Sequence, residues 1–184
     1  AQTQTPAGHW SPQDWGGQES FKVGVTALAL MALPDKDPSA LRAAQWLRGT
    51  LNRSGFFGGS GPGAAYNHAL ATLALLEHRE AADAPRLGVA LEIIRSSQNR
   101  DGGWGRYGEG GSASVAAVTA WQIKALETAT ALGRSTPGLD RSLRKGKEWL
   151  EQHGAQPTPP TLAVGPTQRA GGQVYAAAAE ALSL

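Results

Sequence analysis

Ser97-Gln98-Asn99-Arg100-Asp101-Gly102-Gly103-Trp104-Gly105 is the stretch on which the fold turns. Before it, Leu87, Leu91 and Ile94 stand at i, i+4 and i+7 with Arg86, Glu92 and Arg95 between them, the stripe of a helix with one wet face. After it, residues 113–125 are almost wholly small or apolar around the circumference, as a helix packed on two sides requires. Glycines allow a tight reversal with positive φ, the tryptophan ring covers a helix end, and a glutamine or aspartate side chain satisfies free amides at the next helix start. Asp101 and Trp104 therefore read first as a structural staple joining an outer helix to an inner one, and only second as ligand contacts.

Working outward, the same two helix types recur. Val25-Thr26-Ala27-Leu28, Leu70-Ala71-Thr72-Leu73 and Val118-Thr119-Ala120-Trp121 form an inner series, with a weaker copy over residues 174–182. Trp46-Leu47, Ile93-Ile94 and Trp149-Leu150 mark an outer series at a similar period, about 45 to 56 residues. Proline stands at the expected first turn of each outer helix, in Asp37-Pro38, Ala84-Pro85 and Thr136-Pro137, with Asp37 and Thr136 as N-caps. Alternating strand patterns are missing. The chain is thus expected to be one all-α domain over residues 1–184, an array of about seven or eight helices. Its hairpins span roughly 20–52, 65–98, 113–152 and 172–184. The Gly-Trp segment from His9 to Ser20 lacks its outer helix and the last inner helix lacks a successor. The array is accordingly a partial or open ring, or part of a longer chain.

Composition narrows the chemistry. With 41% hydrophobic residues in 184 the chain buries a sizeable core. The 17 basic and 15 acidic residues are spread along it, so a net charge of +2 marks no basic patch and nucleic acid is not an expected partner. The densest basic run, Arg141-Ser142-Leu143-Arg144-Lys145-Gly146-Lys147, reads as the solvated face of an outer helix. No cysteine is present, which removes disulfides, thiolate metal sites, cysteine nucleophiles and thioesters. No apolar run approaches the roughly 18 residues that span a bilayer. The compartment is undetermined, with an extracytoplasmic or periplasmic one compatible. The histidines His9, His68, His78 and His153 show no metal-ligand spacing, and no cofactor is implied.

The glutamine-ended helix, the Asp-Gly-Gly-Trp turn of residues 101–104 and the alanine-rich helix after it resemble the repeat of squalene and oxidosqualene cyclases and protein prenyltransferase β subunits. Val23-Gly24-Val25-Thr26, Tyr66-Asn67-His68-Ala69-Leu70 and Val118-Thr119-Ala120-Trp121-Gln122 more closely resemble bacterial prenyltransferase or squalene oxidase repeat proteins. The resemblance covers roughly residues 9–152 and implies an α/α-toroid, with outer and inner helices alternating around a central cavity. In the resembled enzymes reactive groups lie near the starts of inner helices. Zinc there needs a cysteine, which this chain lacks, and the cyclase acid needs an Asp-x-Asp-Asp cluster, of which Asp35-Lys36-Asp37 is only a shadow. An acidic residue that the bacterial relatives imply near the third inner helix is replaced by Ala113.

What remains is a cleft at the inner-helix starts, with Trp15, Phe56, Tyr66, Asn67, His68, Trp104, Tyr107, Glu109 and Trp121 as its candidate lining. His68 is open to two readings: a general base or ligand-orienting donor, or a histidine bonded to a neighbouring loop while Asn67 caps its helix. Ser112 reads as the N-cap of the third inner helix. The first expectation is a non-catalytic binding module for an apolar small molecule or a partner peptide. The alternatives are an enzyme on an isoprenoid or other apolar substrate, with His68 or Glu109 handling the proton, and a structural scaffold.

Overall fold

The computed structural model describes residues 4–34, 36–61, 63–108 and 112–153. Among them are six α-helices and no strand: α1 (Lys22–Ala32), α2 (Pro38–Gly49), α3 (Ala64–His78), α4 (Ala84–Ser96), α5 (Ala116–Ala131) and α6 (Pro137–His153). Helices α1, α3 and α5 lie side by side as an inner layer, and α2, α4 and α6 pack behind them in turn. The expected alternation of inner and outer helices is therefore the observed one. The hairpin expected over residues 172–184 lies outside the described residues.

Helix boundaries follow local chemistry. Pro38 opens α2 with Asp37 Oδ1 accepting from Ser39 N at 2.6 Å, and Pro137 opens α6 with Thr136 Oγ1 accepting from Leu139 N at 3.3 Å. The third inner helix departs from expectation. It begins at Ala116 behind an extended Val115, so Ser112 does not cap it; the Ser112 carbonyl instead accepts from Asn99 Nδ2 at 2.7 Å. The small residues of α3 let its neighbours close around it, so apart from Tyr66, Glu77 and His78 every residue of that helix is buried.

The loops entering the inner helices share one geometry. Gln4 Nε2 donates to Gly8 O and to Ser39 O of α2, both at 2.8 Å. Gln98 Nε2 donates to Gly102 O at 2.8 Å and to Ser142 O of α6 at 2.9 Å. These glutamines bond carbonyls of the loop and the following outer helix, where a bond to amides at the next helix start was expected. Gly8 and Gly102 both have φ +100°, and a Cβ on them would stand 2.6 Å from Arg42 O and 2.8 Å from Lys145 O. Gly55 (φ +85°) repeats the reversal in the middle loop, where a Cβ would stand 2.8 Å from Val89 Cγ1 of α4.

The outer helices are also tied to one another. Asp83, fully buried just before α4, accepts from Arg48 of α2 through Nε at 2.8 Å and Nη2 at 2.9 Å, a bidentate pair.

Two expectations follow from these contacts. Gly8→Ala and Gly102→Ala should each destabilise by about 2 kcal/mol or more, because both conformation and space forbid a methyl. Gly88→Ala on exposed α4, with nothing within 4 Å of the new Cβ, should instead gain up to about 1 kcal/mol. Urea denaturation of the three variants measures both. Asp83→Ala should cost about 3 kcal/mol by leaving the Arg48 guanidinium unpaired, and Arg48→Met combined with Asp83→Leu should cost less than Asp83→Ala alone.

Candidate functional site

The inner-helix starts are organised by three backbone amides. Trp10 N donates to Thr26 Oγ1 of α1 at 3.2 Å, Phe57 N to His68 Nδ1 of α3 at 3.1 Å, and Trp104 N to Thr119 Oγ1 of α5 at 3.0 Å. His68 thus does in the second repeat what a threonine does in the first and third. The acceptor role fixes its tautomer, since Nδ1 must be unprotonated and Nε2, 3.0 Å from Ala90 O, carries the proton. Burial pushes its pKa down to about 4, with the Ala90 carbonyl pulling weakly the other way.

Asn67 is equally committed, whereas Gln122 keeps a buried Oε1 with no partner among the described residues. Asn67 caps α1 and not its own helix: Oδ1 accepts from Gly24 N at 2.9 Å and Nδ2 donates to Ser20 O at 2.6 Å. Gln122 Nε2 reaches from α5 to Ala65 O at 3.1 Å. Trp104 is 1% exposed and donates through Nε1 to Ile94 O at 2.7 Å, so its ring belongs to the core. Trp121, also buried, joins the same core cluster.

A different subset meets at the start of α3. The Phe56 ring lies 4.9 Å from that of His68, and Gly108 presses so closely on Phe56 that an added Cβ would stand 2.6 Å from its Cε1. Ala65 N donates to Arg106 O at 3.2 Å, which brings Tyr107, between Arg106 and Gly108, to the same corner as Tyr66. Burial raises the Tyr66 pKa, partly offset by the charge of Arg106. Tyr107 is 49% exposed, and Trp15, in a short turn before α1, is 42% exposed. Glu109 lies outside the described residues.

A family model for the squalene-hopene cyclase C-terminal domain matches residues 20–159. The chain belongs to that family. No curated protein matches the chain. The match to the squalene-hopene cyclase C-terminal domain family spans all six described α-helices. No helix among the described residues is long and apolar enough to cross a membrane.

Sequence reading missed three participants of this domain. Thr26 and Thr119 looked like apolar-helix filler, and Gln4 stood before the first recognised motif. Gln4-x-x-x-Gly8-x-Trp10 and Gln98-x-x-x-Gly102-x-Trp104 carry the same spacing, a signal present in the chain.

Because His68 is neutral when folded and its pKa is depressed, the unfolded chain binds its proton first as pH falls. The His68 contribution to stability should be constant above about pH 6.5, fall by on the order of 3 kcal/mol down to pH 4, and change no further below. Denaturation midpoints over that range, with His68→Thr flattening the slope, provide the check.

Proposed function

We propose that this domain is a non-catalytic binding module whose ligand lies across the aromatic corner formed by Phe56, Tyr66 and Tyr107. The observation that carries this reading is the full commitment of His68: one ring nitrogen accepts from Phe57 N, the other faces Ala90 O, and its pKa sits near 4. A proton-handling residue needs a free nitrogen and a pKa closer to the working pH. Asn67, at the same end of the inner layer, holds the start of α1 with both ends of its amide.

Between the two ligand classes, a partner peptide is favoured over an apolar small molecule. An apolar ligand is normally enclosed, and α3 is covered by its neighbours along its length. The corner instead presents the exposed Tyr107 beside the half-buried Phe56 and Tyr66, and tyrosine is a side chain that peptide-binding sites use.

The reading is tested by selecting peptides on the domain from a displayed library and following thermal unfolding. At a peptide concentration 100-fold above Kd, the stabilisation should reach about 2.7 kcal/mol. Tyr107→Ala should remove that shift while changing the domain's own stability by less than about 0.5 kcal/mol, as for an exposed side chain. His68→Thr should keep it. Loss of the shift in His68→Thr with full retention in Tyr107→Ala would sink the proposal, as would a selection that returns no binding peptide.

A further inference from the structure

The first and third repeats superpose residue for residue by their hydrogen bonds, with Gln4 answering to Gln98, Gly8 to Gly102 and Ser39 to Ser142. By the same register Ala7 answers to Asp101, Arg42 to Lys145, Trp46 to Trp149 and Thr50 to His153. In the third repeat the tryptophan is fully dressed. Asp101 Oδ2 accepts from Trp149 Nε1 at 3.1 Å, and the His153 ring stacks on Trp149 at 4.6 Å with only 14° between the planes.

In the first repeat the acceptor is missing and the ring contact differs: His9, the counterpart of Gly103, lies 4.8 Å from Trp46 and tilted by 45°. Alanine stands where the carboxylate would be, threonine where the ring would be, and Trp46 Nε1 has no acceptor among the described residues. The space is open: Ala7, Arg42, Gln45, Trp46, Gly49 and Thr50 line a groove of about 470 Å³. Added bulk at Gly49 would meet nothing within 4 Å. The loop does not need the aspartate, because His9 N, the counterpart of Gly103 N, is satisfied by Thr5 Oγ1 at 3.2 Å.

We infer that this groove is a second binding site, distinct from the aromatic corner, for an acidic segment of a partner protein whose Asp or Glu carboxylate accepts from Trp46 Nε1 as Asp101 does from Trp149. The groove lining contains no acidic residue, and Arg42 borders it with a guanidinium held in place by Gln4 Oε1 at 2.7 and 3.0 Å. The volume falls within the range of about 300–1,000 Å³ common to ligand sites.

The test follows the indole N–H resonance of Trp46, assigned through Trp46→Phe, during titration with the peptide acetyl-Ala-Asp-Ala-His-amide. The resonance should move saturably, and the same peptide with Asn in place of Asp should bind at least 10-fold more weakly. Ala7→Asp should supply the carboxylate from within the chain, shifting the Trp46 resonance unaided and weakening the peptide at least 10-fold with unchanged helical circular dichroism. Tyr107→Ala should leave the titration unchanged, which separates this site from the aromatic corner. The proposal is overturned if the resonance stays still, if the Asn peptide binds equally well, if Ala7→Asp binds with unaltered affinity, or if sodium acetate at equal concentration reproduces the shift.

Discussion

Three amides, those of Trp10, Phe57 and Trp104, find their acceptors not in their own loops but on the following inner helix. The rest of the structure depends on this. Leaving such a buried amide unmet costs about 1–3 kcal/mol, so each inner helix must place one polar acceptor at a fixed height. That acceptor sets how far each helix slides along its loop, and hence where the aromatic side chain of the loop enters the core. Thr26, His68 and Thr119 are thereby tied into the architecture of the inner layer.

The second tie runs outward. Positive-φ glycines bring the loop backbone against an outer helix, and glutamines bridge the gap to its N-terminal half in the first and third repeats. The tie is conserved between repeats while its decoration is not. Asp101 and His153 dress the tryptophan of α6, whereas the tryptophan of α2 stands beside a groove. Repetition supplies the frame, and the departures from repetition supply the surfaces.

Much of the outer layer was legible because its residues alternate between wet and dry, so Trp46, Ile93 and Trp149 align correctly from sequence. The same register follows from Gly8 on Arg42, Gly55 on Val89 and Gly102 on Lys145. The inner layer was less so. Apolar similarity pairs Thr26 with Ala71, but the hydrogen bonds pair Thr26 with His68, three residues earlier. In a helix buried all round, alanine and leucine fit at many heights, and periodicity carries no information about the slide along the axis. Asn67 illustrates the same gap: its position at a helix start suggested a cap, yet the helix it caps is α1, brought beside it only by packing.

By itself the sequence determined the helix types, their alternation, the Gly-Trp reversals between them and the absence of thiol chemistry, since each of these is written in local composition and period. Tertiary structure alone decided which polar atom meets which, that His68 is a neutral acceptor with both nitrogens engaged, and that Trp46 lacks the carboxylate acceptor of Trp149. Those outcomes depend on distances between segments tens of residues apart. They are fixed when close packing selects a single register, a choice that no local pattern encodes.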